Sequence, residues 1–340
     1  MFDFLFGVFS KDLAMDLGTA NSLIYHKGKG IVLNEASVVA IDKSSNNVIA
    51  WGNDAKKMLG RANQDIRVIR PLKDGVIADF EITNKMMRKM IEAVYNRVHL
   101  INPRMIICVP AGITSVEKKA VIDAAEQSGA RSCYLIEEPM AAAIGAGLPI
   151  SEPIGNMVVD IGGGTTEVAV ISLGGIAYSE SVRVAGDELN ESIMRYLRTE
   201  YNMLIGENLA ENIKFAIGSA YKLEHEISYM VKGRNLTTGI PGSVELSSVE
   251  VRAAIIEPVN AIVDAIKRAL DKTSPELIAD IADHGIVLTG GGALLRNLDV
   301  LISRATGLNV IVADDPLTSV VKGTGWALED MRTYQKVFVN

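Results

Sequence analysis

The chain has 340 residues, 48% of them hydrophobic, which suits two globular domains with substantial cores and argues against intrinsic disorder. Its formal net charge of −7 argues against nucleic acid as the main partner, because phosphate backbones are bound by surplus Lys and Arg. The only cysteines are Cys108 and Cys133, and two isolated thiols predict reduced core residues of a cytosolic protein. No apolar run reaches the roughly 20 residues of a membrane-spanning helix, and no signal-peptide pattern is present.

Residues 1–10 are unusually aromatic and hold four of the seven phenylalanines in the chain. Their apolar side chains follow a helical period, which favours a short amphipathic helix. Such a segment is too short to span a bilayer but can lie in its interface, and an assembly of many copies would bind through avidity. The alternative is a terminal strand or helix packed on the core. The membrane-contacting residues predicted here are Phe2, Phe4, Leu5, Phe6 and Phe9.

An apolar strand ending in Asp16 follows, and after Gly18 and Thr19 a second apolar run reaches Tyr25. This pattern predicts a strand, a tight turn and a second strand. The other elements predicted in the first half are strands at 30–41, 48–51, 105–110 and 133–136, a helical turn at 55–59, a loop from Arg67, and helices at 83–98, capped by Thr83, and 114–129, capped by Thr114 with Glu117.

Two further features of the first half have functional interpretations. Leu100 and Ile101 lie in a predicted loop where polar residues are expected, so they are either a second membrane-inserting tip or a loop anchored in the core. Glu137 and Glu138 end a predicted strand and precede a helix of small residues. Because successive residues of an extended chain point to opposite sides, only one of the two should face a ligand. The alternative is that both are solvated or helix-capping carboxylates.

The second half begins with the most informative stretch of the chain, at 157–171. An apolar run ends in Asp160, three glycines and two threonines follow, and another β-branched run begins at Val168. The glycines open a strand, whereas the phosphate loops of Rossmann and P-loop proteins open a helix, so neither of those folds is indicated. Glycine backbone N–H groups can approach an anion closely. An ordinary glycine-rich hairpin is the alternative.

The hairpin at 157–171 repeats the plan of the hairpin at 13–25, which indicates a duplicated architecture with one phosphate loop in each half. Two such hairpins facing each other could clamp a polyphosphate. A carboxylate beside a phosphate is repulsive unless a cation lies between them, so we expect Asp16 and Asp160 to hold Mg²⁺, through water.

Later segments add candidate ligand contacts. Glu211 and Lys214 are three residues apart on a predicted helix, where a surface ion pair is the simplest interpretation. Three glycines follow a strand at 285–288 and begin a predicted helix, where backbone donors could meet an anion or a sugar. The other elements predicted here are a strand at 178–184, a helix to residue 201, a helix at 208–219, short strands and turns at 227–231, 235–240 and 242–246, a helix at 247–272 bent at Pro258, a helix continuing to residue 305, a strand at 310–313 and a closing helix at 315–328.

The two hairpins resemble the phosphate loops of the superfamily that includes actin, sugar kinases and the ATPase domains of heat-shock chaperones. The stretches 28–35, 74–79, 137–149, 158–172 and 288–298 closely resemble those of the bacterial actins of the MreB family, and the similarity covers essentially the whole chain. The resemblance implies an α/β, duplicated actin-like (ribonuclease-H-like) fold. Each of its two domains would hold a mixed sheet flanked by helices, with a nucleotide in the cleft between them.

The resemblance also implies roles for individual residues. Glu138 and Thr165 would be catalytic, with Glu138 orienting or deprotonating the attacking water. The implied nucleotide-binding residues are Gly18, Thr19, Ala20, Asn21, Gly162, Gly163, Gly164, Thr166, Gly186, Asp187, Glu211, Asn212, Ile213, Lys214, Gly290, Gly291, Gly292 and Ala293.

By the same resemblance the protein would bind ATP or ADP with Mg²⁺, hydrolyse ATP slowly and form paired filaments on the inner face of the cytoplasmic membrane. These filaments would organise cell-wall synthesis and maintain rod shape, with partners such as RodZ, MreC and cell-wall elongation proteins. The expected organisation is a membrane segment at 1–10, a first domain at 11–148 with an insertion at about 30–75, a second at 149–317 with an insertion at about 185–246, and a helix and tail at 318–340 returning to the first domain. A chaperone-type ATPase or a small-molecule phosphotransferase is the alternative, and the choice between ATP and GTP stays open.

Overall fold

A computed structural model describes residues 12–95 and 102–339. The first half contains strands β1 Leu13–Leu17, β2 Asn21–His26, β3 Gly30–Ala36, β4 Val39–Asp42, β5 Val48–Trp51, β6 Ile66–Ile69, β7 Leu72–Lys73, β8 Val76–Ile77, β9 Arg104–Val109 and β10 Ser132–Glu137, and helices α1 Gly52–Met58, α2 Phe80–Val94, α3 Ser115–Gln127 and α4 Glu138–Gly145.

The second half repeats this alternation of strands and helices. It contains strands β11 Asn156–Ile161, β12 Thr166–Ser172, β13 Gly175–Val182, β14 Met203–Leu204, β15 Ser228–Asn235, β16 Pro241–Ser247, β17 Ile286–Thr289 and β18 Val310–Val312, helices α5 Gly186–Glu200, α6 Glu207–Ile217, α7 Ser248–Ala254, α8 Ile256–Lys272, α9 Pro275–His284, α10 Leu298–Thr306 and α11 Ser319–Glu329, and 3₁₀ turns at Gly291–Leu294 and Gln335–Val337.

Each half is built on a five-stranded mixed sheet of the same design. The strand order is β10-β9-β1-β2-β3 in the first half and β13-β12-β11-β17-β18 in the second. The central strand pairs antiparallel with its hairpin partner and parallel with its other neighbour in both sheets. The predicted duplication and the α/β class are therefore confirmed, and both hairpins occupy the middle of their sheets.

Two small sheets accompany the large ones. One has the order β5-β4-β6 and the other β14-β15-β16. β3 belongs to the large first sheet, so the small sheet of the first half begins only at β4.

The halves share a hydrophobic core in addition to their own cores. This shared core joins buried residues of β1, β9 and α4 to buried residues of β11, β12 and α11. The end of α11 reaches the first half, where Lys27 Nζ donates to the Leu328 carbonyl at 3.0 Å and the Gly28 N–H donates to Glu329 Oε1 at 2.6 Å. Both cysteines are buried, as expected. Within residues 12–95 and 102–339, no helix is both long and apolar enough to cross a membrane.

Two local predictions in the first half are wrong. Helix α2 is capped by Asp79, whose side chain accepts from the Ile82 N–H at 3.1 Å, and it ends at Val94. Thr83 lies inside the helix, and its hydroxyl donates to the Asp79 carbonyl at 2.7 Å. The segment around Arg67 is strand β6, which pairs with β4. The loop prediction is wrong because β4 lies some 25 positions earlier in the chain, and local sequence gives no sign of the pairing.

Two helices predicted in the second half are interrupted. The helix after Ser247 breaks at Ile255, since Pro258 has no N–H to donate to the carbonyl four residues earlier. The predicted capping box of Thr114 with Glu117 is present, and Ser247 forms a second one with Glu250. The helix predicted from Gly290 is a 3₁₀ turn, and α10 begins separately at Leu298.

Helices α4 and α11 touch through their backbones. A Cβ on Gly145 would collide with the Ser319 carbonyl oxygen, and one on Gly323 with the Ala141 carbonyl oxygen. We therefore expect Gly323→Ala to lower the free energy of unfolding by about 1–3 kcal/mol or more, measured by denaturant titration. Gly206→Ala is the matched control, because a Cβ there meets open space. Equal stabilities of the two variants would contradict this account of the contact.

Candidate functional site

A cavity of about 600 Å³ lies between the two halves and is lined by both hairpins. Most of the residues that the sequence proposes for ligand binding meet here. Those lining the cavity are Asp16, Gly18, Thr19, Ala20, Asn21, Glu138, Asp160, Gly162, Gly163, Gly164, Thr165, Gly186, Asp187, Glu211, Lys214, Gly290, Gly291 and Gly292.

The turns of the two hairpins are in direct contact. A Cβ on Gly163 would lie 2.7 Å from the Ala20 Cβ, and one on Gly164 would lie 2.8 Å from Thr19 Oγ1. Only glycine permits this approach, since real Cβ atoms do not come so close to other heavy atoms. The two glycine turns therefore form one surface, with backbone from both halves.

Helix α5 is docked on the second hairpin by its first residues. The N–H groups of Gly186 and Asp187 donate to the carbonyls of Gly162 and Gly163, at 3.2 and 2.8 Å. Lys214 Nζ donates to the Gly186 carbonyl at 2.8 Å, which places its positive charge at this junction. Burial lowers the pKa of Lys214, although the nearby carboxylates of Glu211 and Asp187 act in the opposite direction. A cation near the glycine turns suits an anionic ligand.

Three carboxyl groups gather at the strand ends beside the turns. Burial raises the pKa of Asp16 to about 7, and the charge of Asp160 adds to the effect. Burial also raises the pKa of Asp160 to about 6, partly offset by a hydrogen bond from Thr289 Oγ1 at 2.8 Å. The pKa of Glu138 is held well above its usual value by burial and by the charges of Glu167, Asp16 and Asp160. The site therefore holds more negative charge than its own residues balance.

The aspartate pair has the chemistry of an incomplete magnesium site. Within the described ranges, no group of three or more His, Cys, Asp or Glu residues is arranged to hold a metal ion alone. Mg²⁺ commonly uses one or two carboxylates and completes its shell with water and phosphate oxygens. Asp16 and Asp160 could therefore hold this ion together with a phosphate ligand, and a cation would offset the charge of Asp160 that adds to the raised pKa of Asp16.

Comparison with known proteins identifies the family. The family model described as MreB/Mbl protein matches residues 10–336. The chain belongs to the MreB/Mbl family. It is 56% identical over 328 residues to the cell shape-determining protein MreB of Escherichia coli (strain K12), covering 95% of this chain and 94% of that protein. It is 49% identical over 324 residues to the cell shape-determining protein Mbl of Bacillus subtilis (strain 168), covering 95% and 97%.

A solved structure from this family has the same fold. MreB5 of Spiroplasma citri, in a crystal structure bound to ADP, is 37% identical, covers 96% of this chain and 98% of its own, and superposes with a TM-score of 0.91. Its crystal structure bound to AMPPNP gives a TM-score of 0.89. The actin-like fold expected from the sequence is thereby confirmed.

Four residues proposed for nucleotide binding do not line the cavity. The Thr166 hydroxyl donates to the Val184 carbonyl at 2.7 Å, on the other face of β12. Ile213 and Ala293 are buried in the core of the second half, and Asn212 is exposed. All four are next to cavity-lining residues in sequence, but neighbours on a helix or strand point in different directions.

The structure changes one further sequence-based interpretation, for Glu211, and agrees with another, for Glu138. Glu211 does not pair with Lys214; its Oε2 accepts from Lys56 Nζ of the first half at 2.7 Å. Glu138 lines the cavity, whereas Glu137 does not, as the alternation along the chain suggested. The predicted membrane residues Phe2, Phe4, Leu5, Phe6, Phe9, Leu100 and Ile101 lie outside the described residues.

Sequence reasoning missed the apolar mouth of the cavity. Leu294, Leu317 and Phe215 line it with more than half of each side chain exposed. Nothing in their spacing marks them, because they come from three separate segments that only the fold brings together. Such a mouth suits a flat apolar ring. The other missed lining residues are Leu23, Asn34, Leu189, Gly218, Leu295, Arg296, Pro316 and Val320.

The raised pKa values predict how stability depends on pH without nucleotide or metal. Folding raises the pKa of Asp16 from 3.8 to about 7 and that of Asp160 from 3.8 to about 6. At a pH between 3.8 and these raised values, the folded chain therefore binds more protons than the unfolded chain. Their contribution favours folding at low pH and is lost as the pH rises through about 6 and 7.

Urea titrations from about pH 5 to about pH 8 should therefore show a smaller loss of stability for Asp16→Asn than for wild type. Asp283→Asn, at an exposed position, is the control and should follow wild type. Parallel curves for Asp16→Asn and wild type would contradict the assigned shift.

Proposed function

We propose that this protein binds and slowly hydrolyses ATP and polymerises into membrane-associated filaments that organise cell-wall synthesis and maintain rod shape. The observation that carries the proposal is the contact between the two glycine-containing hairpin turns. Each turn follows a strand that carries an aspartate, Asp16 or Asp160, and both turns line one cavity in a chain of the MreB/Mbl family. Relatives named as cell shape-determining, and a family member crystallised with ADP and with AMPPNP, support it.

The nucleotide would lie with its phosphates on the glycine turns and its base toward the apolar mouth. Backbone groups at 18–21 and 162–164 would contact the phosphates, since no side chain blocks their approach. Glu211 and Lys214, which also line the cavity, are placed for the sugar. Phe215, Leu294 and Leu317 would pack on the base, which is the flat apolar part of ATP.

Hydrolysis needs a water molecule oriented toward the terminal phosphate. Glu138, the first residue of α4 and directly after β10, is the carboxyl group placed for this task, because its side chain lines the cavity. Burial and the charges of Glu167, Asp16 and Asp160 raise the pKa of Glu138, which makes its carboxylate a stronger base. Thr165, beside the second turn, would help to fix the water and the phosphate. When bound, Mg²⁺ would stabilise negative charge on the phosphate oxygens.

A filament would bind the membrane through many weak anchors acting together. Residues 1–10 and the pair Leu100 and Ile101 are the candidate anchors. RodZ, MreC and cell-wall elongation proteins are the partners expected from the family resemblance.

The whole proposal is tested by incubating purified protein with ATP and Mg²⁺, then measuring pelleted protein, electron micrographs and phosphate release without any acceptor. Filaments together with phosphate release support the proposal. Phosphate release that requires an added small-molecule acceptor, with no filaments, would show a phosphotransferase instead.

Replacing the proposed base should separate hydrolysis from binding. We expect Glu138→Gln to lower the rate of phosphate release about 100-fold while leaving the affinity for ATP within a few-fold of wild type. Glu137→Gln is the matched control because its side chain does not line the cavity. Normal turnover of Glu138→Gln would remove this residue from the catalytic role.

Deleting residues 2–9 should release the protein from membranes. The expected result in a flotation assay with anionic liposomes is loss of most bound protein, with ATP-dependent pelleting preserved. If binding persists, the anchor lies elsewhere, and a variant with Leu100→Ser and Ile101→Ser then tests the second candidate.

A further inference from the structure

Glu167 is a buried carboxyl group of β12 that does not line the cavity. Its exposed fraction is 0%, and none of the ion pairs in the described part of the chain includes it. It follows Thr166 in a strand whose next four residues, 168–171, are also fully buried. An ionisable side chain without a cationic partner is strongly unfavourable in such a place. Packing alone therefore does not account for a glutamate here.

The strand register aims Glu167 toward the first half of the protein. Glu167 is directly opposite Asp160 in the hairpin, so the two side chains lie on the same face of the sheet. Ala169 and Ile171 follow on that face and belong to the core shared by the two halves. Glu167 thus lies where the shared core meets the cavity.

The two oxygens of Glu167 accept hydrogen bonds from different halves. Oε1 accepts from Ser181 Oγ on β13 at 2.6 Å, within the second half. Oε2 accepts from the backbone N–H of Ala111 at 3.2 Å, in the turn that follows β9 of the first half. The Ala111 bond is therefore a polar link between the halves at the base of the cavity.

The turn held by this link reaches the proposed catalytic Thr165 through Gly75. A Cβ on Gly75 would lie 2.9 Å from Pro110 Cγ and 3.1 Å from Thr165 Cγ2, so Gly75 is in close contact with both residues. The Gly75 N–H donates to Thr19 Oγ1 at 3.1 Å. Glu167 is close enough to Glu138 for its charge to be the largest electrostatic contribution to the raised pKa of that residue.

We propose that Glu167 is a positioning residue for hydrolysis: by accepting from the Ala111 N–H, it fixes the 110–111 turn against Gly75, which contacts Thr165, and so sets the distance between the two halves beside Glu138. The inference rests on the proposed ATPase activity. It predicts an effect on the chemical step and little effect on nucleotide binding, because the glycine turns and the apolar mouth do not depend on this bond. Small displacements of reacting groups lower rates steeply.

Three variants separate the hydrogen bond from the charge and from packing. Glu167→Gln removes the charge but keeps both contacts, since its amide oxygen can accept from Ala111 and its NH₂ can donate to Ser181. Glu167→Met keeps the length of the side chain on an otherwise apolar face and removes both contacts. Ser181→Ala removes only the contact within the second half.

The test is steady-state phosphate release with ATP and Mg²⁺, with ATP affinity and thermal unfolding measured on the same samples. We expect Glu167→Met to lower kcat about 10-fold to 100-fold with KM and ATP affinity little changed. Glu167→Gln should recover most of the wild-type kcat, and Ser181→Ala should stay within about twofold of wild type.

Other outcomes overturn the inference. Wild-type kcat in Glu167→Met would show that the link does not position the site. A kcat as low in Glu167→Gln as in Glu167→Met would assign the effect to charge, and a matched loss of ATP affinity and stability in Glu167→Met would show a purely structural role. If wild type releases no phosphate, the proposed ATPase activity fails as well, so the two failures are distinguishable.

Discussion

The contact between the two glycine turns is the constraint on which the rest of the structure depends. Gly163 and Gly164 meet Ala20 and Thr19 at distances that leave no room for side chains, so both sheets are held with their central hairpins face to face. Because each hairpin is the middle of its sheet, this one contact also fixes where the strand ends point. Asp16, Asp160 and the cavity between them are consequences of it.

This arrangement concentrates negative charge that the protein does not neutralise. Burial raises the pKa values of both Asp16 and Asp160, and the charge of Asp160 raises the pKa of Asp16 further. Such a site is less stable empty than it would be with apolar residues, and a cation bound together with a phosphate would offset its charge. The local loss of stability and the capacity to bind therefore have the same physical origin.

The parts of the fold that were predictable from sequence are those specified within a few residues. The hairpins combine strand periodicity with turn glycines, so the sequence alone predicts that Asp16 and Asp160 lie together beside facing turns. The partner of Glu211 was missed, because Lys56 is far away in sequence and no local pattern links them. Gly290 was expected to open a helix, but its φ of +78° and its packing against Ile161 impose a 3₁₀ turn instead. The sequence signal for Glu167 is a single glutamate at the start of an otherwise apolar strand.

The contacts between the halves differ in kind from the base of the cavity to its rim. At the base, α4 and α11 meet through backbone at Gly145 and Gly323, which leaves no freedom for sliding. At the rim, the halves meet through part-exposed ion pairs, Lys56 with Glu211 and Arg70 with Glu207. Ion pairs open to solvent contribute little stability and exchange readily with water. Relative motion of the halves should therefore open the rim while the base stays closed, so a ligand can enter without disturbing the carboxyl groups.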